Sequence, residues 1–292
     1  MFLTSLSDSA VYEPEQITDA IVVPGVPHPN SLPFRLGMPH LSATGLCSNW
    51  LLRECAHRHW HSIAFDAGSL PEAMRDSSGQ RCFASIVSVV IDGRLDGFRE
   101  DTFARFDVVE PPTALNGWRS TTRIVGHDCE ARVELVSAFA RRRGNSNRHL
   151  EAADVPEPMR SLPSDALPQR TRVLRARNRS FRIASEQKAP PIISARVLEG
   201  SDLNGVGLLY FANFLRFIDM VETEVTHGPW KRPPVARREV HYFGNADAGD
   251  RLDMWADVTV PSVAPCPRVV CFSTVRRSAD GVAIAACETE WS

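Results

Sequence analysis

The segment DLNGVGLLYFANFLRFID, residues 202–219, carries three side chains that can do chemistry and then becomes an apolar run with helical spacing. Asp202 is a carboxylate that can act as a nucleophile or base, and Asn204 is an amide that can donate a hydrogen bond. Tyr210 is a phenol that can donate a proton or accept an acyl group. The spacing predicts a polar loop that leads directly into a buried helix.

The glycines of this loop indicate which ligand it suits. Gly205 and Gly207, on either side of Val206, let the backbone turn and approach a ligand closely. A helix that begins near Leu208 has unpaired first N–H groups at the positive end of its dipole, which suits a thioester carbonyl that becomes an oxyanion. The Walker phosphate pattern and the G-x-G-x-x-G dinucleotide pattern are both absent. The alternative is a glycine turn that only starts a buried helix.

Another candidate carboxylate lies in the first half of the chain. Glu54 falls inside a second predicted helix, nine residues after Gly45. A carboxylate at the end of a substrate tunnel can act as general acid or base. The alternative is a salt bridge from Glu54 to Arg53 or Arg58.

Histidines add two further hypotheses. His40 lies just before the first-half helix, where it can contact a substrate carbonyl or serve a structural role. His57 and His61 are one helical turn apart, a spacing that zinc accepts, but the sequence offers no third ligand. We therefore predict no metal site.

Internal repetition predicts the fold. Residues 44–60 align without a gap on residues 206–222, with a glycine on a glycine. In each half a short strand precedes a turn and an amphipathic helix, and four alternating, β-branched runs follow. We predict an α+β chain of two strand–helix–four-strand antiparallel units, whose two longest helices span about 46–62 and 208–224. An ordinary two-domain α+β protein is the alternative.

Composition divides the chain into residues 1–143, residues 144–190 and residues 191–292, the outer two being the repeated units. The middle segment is rich in proline and arginine and is predicted to be a linker with a short helix. Its arginines can face the phosphates of coenzyme A or an acidic carrier protein, or can simply be solvated.

The loop and helix start resemble the signature of hotdog acyl-thioester enzymes of the 4-hydroxybenzoyl-CoA thioesterase type. In that family an Asp three residues before the glycine that opens the helix performs hydrolysis. The position here is Asn204, and Asp202 reaches it only if two residues are inserted. An amide cannot act as nucleophile or general base, so the resemblance leaves hydrolysis by that route open to question.

A second resemblance covers most of the chain. The stretches GMPHLSATGLCSNWLLRECAHRHW, NGVGLLYFANF and REVHYFGNADAGD are similar to the double-hotdog biosynthetic proteins of polyketide and hybrid peptide gene clusters, the family of the leinamycin-pathway acyltransferase/decarboxylase. This resemblance implies a double hotdog that acts on acyl groups carried by coenzyme A or acyl carrier protein, through an acylated tyrosine. The tyrosines here are Tyr12, Tyr210 and Tyr242, and none of them lies on a predicted first-half strand.

We accordingly expect an acyl-thioester enzyme of secondary metabolism, with acyl transfer, with or without decarboxylation, as the first hypothesis. Tyr210 would then act as hydroxyl donor or acyl acceptor, and Asn204 would orient the thioester. Hydrolysis through Asp202 or Glu54 is the second hypothesis, and dehydration of a 3-hydroxyacyl chain by His40 and Glu54 is the third. A non-catalytic hotdog that docks carrier protein is a further alternative. The residues assigned to substrate binding are Gly205, Val206, Gly207, Leu208, Asn213 and Gly45.

Composition narrows the partners and the compartment. The net charge of -2 gives no bulk reason to expect nucleic acid, and no apolar run approaches the roughly 20 residues of a membrane span. The seven cysteines contain no C-x-x-C pair, which favours reduced thiols and a cytoplasmic protein. We expect no cofactor beyond the coenzyme A or phosphopantetheine of the substrate, and a homodimer is an open alternative.

Overall fold

The structure is a computed structural model that describes residues 32–157, 159–186, 189–226, 234–260 and 268–291. Within these ranges the α-helices are α1 (Ser48–Asp66), α2 (Gln169–Ala184), α3 (Glu199–Asp202) and α4 (Phe214–Thr226). The strands of the first half are β1 (Phe34–Arg35), β2 (Leu41–Ser42), β3 (Gly45–Leu46), β4 (Phe83–Gly93), β5 (Phe103–Glu110), β6 (Arg119–Val125), β7 (Glu130–Arg142) and β8 (Leu150–Ala152). The strands of the second half are β9 (Ile193–Arg196), β10 (Val235–Tyr242), β11 (Arg251–Thr259), β12 (Val269–Arg277) and β13 (Ala283–Trp291).

One antiparallel sheet runs through both halves. Among the described residues its order is β1-β5-β6-β7-β4-β10-β13-β12-β11-β9, with β8 added beside β7. The halves mirror each other, since β4 and β10, the first long strands after α1 and α4, meet in the middle. They pair from Arg237 with Asp92 to His241 with Ser88. This pairing covers the open edge that each unit would otherwise expose.

The two long inner helices pack on this sheet, α1 against β7 and α4 against β11 and β12. Each buries one face, because apolar residues recur every three or four positions. Leu51 and Leu52 on α1 and Phe217 and Ile218 on α4 are fully buried in one common core. Burying a side chain of this size contributes roughly 1.5–3 kcal/mol relative to exposure. The prediction of two antiparallel units, each wrapped on its own helix, is confirmed.

The predicted helix lengths are partly wrong. The helix α4 begins at Phe214, six residues after the predicted start at 208, and has 13 residues. The chain before it stays extended at Tyr210, with ψ at 129°, and then forms a 3-10 turn over Phe211–Asn213. The helix α2, within the segment predicted to be a linker, is longer, with 16 residues.

The helix α2 covers the opposite face of the sheet, at the junction of the halves. Successive side chains of a strand alternate between faces. Tyr242 packs on Phe214 of α4, whereas its neighbour His241 packs on Phe181 of α2 at 4.4 Å between ring centroids. Asn178 of α2 donates a hydrogen bond to the Val87 carbonyl of β4 at 2.8 Å.

Five of the six arginines of α2 divide into two groups, and the sixth, Arg175, donates a hydrogen bond to the Gly117 carbonyl at 3.2 Å. Arg170 pairs with Glu134, and Arg177 pairs with Glu239 and Glu288, so these two hold the helix on the sheet. The side chains of Arg172, Arg179 and Arg182 are exposed and have no carboxylate partner within the described ranges.

Two compositional expectations can be compared with the described part of the chain. No helix there combines the length and apolar character needed to span a bilayer. The cysteines there are all free. Cys266 and Tyr12 lie outside the described residues.

Candidate active site

A cavity of about 530 Å³ lies where α1 of the first half meets the loop that precedes α4 in the second half. Its lining consists of Arg53, Trp60, Leu203, Asn204, Gly205, Val206, Tyr210 and Asn213. Five residues assigned to the site from the sequence are among these. The two α1 residues, Arg53 and Trp60, were not assigned to it. They are seven positions apart, so they lie on the same face of the helix.

The loop that forms one wall of the cavity is closed by its own hydrogen bonds. The Asn204 side-chain oxygen accepts from the backbone N–H groups of Val206 at 3.2 Å and Leu208 at 3.0 Å. The Gly207 N–H donates to the Asn204 carbonyl at 2.8 Å. Gly207 has a φ of 75°, a conformation that glycine adopts without a Cβ penalty. The N–H groups of Gly207 and Leu208 are therefore engaged, contrary to their predicted role in polarising a thioester carbonyl.

The closed loop leaves the side-chain amide nitrogen of Asn204 available as a donor. Because its oxygen accepts two N–H groups, the amide orientation is fixed, and its Nδ2 atom donates to no residue in the described ranges. Residues outside the loop hold it in place. Arg142 donates to the Val206 carbonyl at 2.8 Å, and Asn147 donates to the Gly207 carbonyl at 2.6 Å.

Tyr210 also lines this cavity. It precedes the 3-10 turn, so it lies outside α4, whose predicted start at 208 would have placed it in the first helical turn. Burial raises the pKa of Tyr210 to about 12, although the nearby Arg53 charge acts in the opposite direction. The hydroxyl has no hydrogen-bond partner among the described residues. At neutral pH Tyr210 is therefore an un-ionised hydrogen-bond donor.

Arg53 and Asn213 form the polar side of the cavity. The Asn213 oxygen accepts from Arg53 at 2.6 Å and from Asn49 at 3.0 Å, and its amide nitrogen donates to the Ser201 and Asp202 carbonyls at 2.9 Å each. Asn213 is therefore fully hydrogen-bonded, through its oxygen to the first half and through its nitrogen to the second half. The Arg53 guanidinium lies over the Tyr210 ring, 5.4 Å from its centroid. It pairs with no carboxylate in the described part of the chain, so it is a positive charge open to a ligand.

Asp202 is held away from the cavity. Its side chain is buried and accepts hydrogen bonds from the Arg216 Nε atom at 2.9 Å and from the Leu198 N–H at 2.7 Å. Both oxygens are occupied in fixing the first turn of α4 to the chain between β9 and α3. Asp202 therefore stabilises the fold at this point and does not line the cavity, where hydrolysis through Asp202 would need it.

We expect Asp202→Asn to lower the free energy of unfolding by about 2 kcal/mol, because it weakens a hydrogen bond to a charged partner. Urea unfolding measures the change. Asp101→Asn is the control, since its ion pair with Arg35 is exposed and should be worth no more than about 1 kcal/mol. A variant that keeps its stability but loses activity would place the carboxylate in the chemistry instead.

Glu54 follows Arg53 on α1 but is not in the cavity lining. It forms a salt bridge with Arg58 at 2.9 Å, as one of the sequence alternatives expects, and its side chain is 37% exposed. Its negative charge contributes to the raised pKa of Tyr210. The carboxylate and the phenol are therefore within electrostatic range of each other.

The equivalent loop of the first half is built differently. The His40 Nδ1 atom accepts the Gly37 N–H at 2.8 Å, and its ring packs on Trp50 at 4.7 Å between centroids. A Cβ on Gly45, whose φ is 114°, would lie 2.2 Å from the Leu95 carbonyl oxygen. The loop is thus packed against the chain after β4. Residues 41–45 of this loop, Gly45 included, line a separate cavity of about 420 Å³, and His40 is not in its lining.

The described residues contain no group of three or more His, Cys, Asp or Glu side chains arranged to hold a metal. The rings of His57 and His61 meet edge to face, with their centroids 4.3 Å apart. Burial, followed by the neighbouring His61, lowers the pKa of His57.

No known protein family and no curated protein matches this sequence. Solved structures do match its fold. An acyl-ACP thioesterase from Bacteroides thetaiotaomicron is 14% identical, with 90% of this chain and 97% of that chain covered and a TM-score of 0.50. A protein described as an oleoyl thioesterase from Lactobacillus plantarum is 12% identical, with coverages of 90% and 94% and a TM-score of 0.62.

A third match is the 12:0-ACP thioesterase from Umbellularia californica, 13% identical, with coverages of 90% and 93% and a TM-score of 0.57. At these identities the likeness shows the fold alone. Together with the mirrored sheet and the two enclosed helices, it shows that this chain is a double hotdog of the α+β class.

Proposed function

We propose that this protein hydrolyses an acyl thioester, carried on coenzyme A or on the phosphopantetheine of an acyl carrier protein, in the cavity between α1 and the loop before α4. The observation that carries the proposal is the pair of donors in one cavity, the neutral hydroxyl of Tyr210 and the Nδ2 amide of Asn204. Fold neighbours named as acyl-ACP thioesterases support the substrate class.

The two donors would hold the thioester carbonyl oxygen and stabilise its negative charge as the tetrahedral intermediate forms. The Arg53 charge lies on the same side of the cavity and would add to this stabilisation. Glu54 would accept a proton from the attacking water as its oxygen bonds to the carbonyl carbon. Collapse of the intermediate would break the C–S bond, and the thiolate would leave and take up a proton.

A second candidate is acyl transfer with decarboxylation, the activity implied by the resemblance to polyketide-pathway double hotdogs. Arg53 favours it, because an arginine with no carboxylate partner among the described residues suits a carboxylated acyl group. Tyr210 argues against it, because a phenol with a pKa of about 12 is a poor nucleophile at neutral pH.

Two further alternatives have less support. Dehydration needs His40 and Glu54 around one substrate, and His40 is occupied by the Gly37 N–H away from the cavity. A docking role without catalysis would leave the two free donors of Tyr210 and Asn204 without a purpose.

Intact-mass analysis with a panel of acyl-CoA and acyl-carrier substrates tests the proposal. We expect free acid and free thiol as products over many turnovers, with no lasting increase in the mass of the protein. An acylated protein or loss of carbon dioxide would favour the transfer candidate. A panel with no change in any substrate would favour the docking role.

A further inference from the structure

Trp60 contributes a large apolar ring to the cavity lining, close to Tyr210. Its indole N–H donates to the Ala84 carbonyl of β4 at 2.7 Å, which fixes the ring against the sheet. The ring lies 5.9 Å from Tyr210 and 5.9 Å from Phe211 between centroids. It is thus an anchored wall close to the hydroxyl that would hold the thioester.

Behind this wall lies a separate apolar cluster. Trp60 lines the cavity and packs both on this cluster and on the main core, so its ring lies between the cavity and the cluster. The buried members of the cluster are Ile63, Met74, Cys82, Ala84, Trp118, Phe139, Val155 and Met159. An acyl chain that extended past the ring would meet the apolar side chains of this cluster.

We propose that Trp60 is the residue that limits acyl-chain length, so that the protein accepts short acyl groups. This inference rests on the proposed function, since it assigns the acyl end of the same cavity. Removal of the indole opens the cavity toward the cluster, and apolar space of this kind takes up apolar ligands. Each further methylene that becomes buried is worth about fourfold in affinity.

The test measures binding of S-alkyl-CoA thioethers, from ethyl to hexadecyl, by calorimetry, because thioethers cannot be hydrolysed. For the unaltered protein we expect affinity to rise over the first few carbons and then to stop rising or fall. For Trp60→Ala we expect the ratio of long-chain to short-chain affinity to increase at least about tenfold. Trp60→Leu serves the same purpose if the alanine variant does not fold.

Trp50→Ala is the matched control. Trp50 lies on the same helix but packs on Phe34, His40 and Phe106, away from the cavity lining. Trp50→Ala should leave the ratio of long-chain to short-chain affinity unchanged. It therefore distinguishes a general destabilisation of α1 from the removal of the Trp60 ring.

The outcomes separate the two proposals. An unchanged ratio in both Trp60 variants overturns the role of Trp60, and so does the absence of binding by any thioether. Chain-length-dependent binding without hydrolysis of the corresponding thioesters overturns only the proposed function.

Discussion

Glu54→Gln is expected to lower kcat for thioester hydrolysis by about a hundredfold or more, because a general base contributes roughly 10²–10⁴-fold and an amide cannot accept the proton of water. The melting temperature should hardly change. The glutamine oxygen can still accept from Arg58, and a partly exposed ion pair contributes about 0–1 kcal/mol. Steady-state hydrolysis of a short acyl-CoA and thermal melting by circular dichroism measure the two effects.

Arg58→Gln is the control for this experiment. It removes the ion pair but keeps the carboxylate, so kcat should stay within a few fold of the unaltered protein. Arg58 also lies over the Phe106 ring at 4.3 Å, and its loss can lower stability without touching the base. If Glu54→Gln retains full activity, the water is activated by another group.

The fold could be predicted because its signals repeat within each half. The ungapped match of residues 44–60 with residues 206–222 and the four alternating runs after each helix predict two equal units. Two such units have open edges, and pairing them is the direct way to cover the edges. The antiparallel pairing of β4 with β10 covers these edges.

The details of the site could not be predicted, because they depend on residues far apart in the chain. Arg53 and Trp60 face a loop about 150 residues later, so no local pattern marks them as its partners. The Asp202 carboxylate forms an ion pair with Arg216, and the Asn204 side-chain oxygen accepts the Leu208 N–H of its own loop. With these interactions in place, α4 begins at Phe214. The apolar spacing from Leu208 alone predicts an earlier start.

The two halves have diverged in the helix that would complete each site. When the two halves are aligned, Leu215 occupies the position equivalent to Arg53, and Glu222 occupies the position equivalent to Trp60. Both second-half residues are fully buried, so α4 presents no charge or ring to the first-half loop at these positions. Together with the close packing at Gly45, this supports the proposal that the chain works through the cavity beside Tyr210.

Tyr210→Phe is expected to lower kcat by about a hundredfold, the effect of removing one donor to a developing oxyanion. The fold should be unaffected, because the ring contacts with Trp60 and Phe211 remain and the hydroxyl has no partner among the described residues. Tyr242→Phe is the matched control. It also removes a single hydroxyl, one that is buried without a hydrogen bond in the described structure, and should leave kcat unchanged.

The pH dependence separates a donor from a nucleophile. With a folded pKa of about 12, Tyr210 is un-ionised at all lower pH values, so a donor is fully present there and its contribution does not change with pH. A phenolate nucleophile would instead become about tenfold more abundant for each unit by which the pH rises, as long as the pH stays below that pKa. A Tyr210-dependent rate that rises in this way, with an acyl-protein adduct that Tyr210→Phe abolishes, would overturn hydrolysis in favour of transfer through the tyrosine.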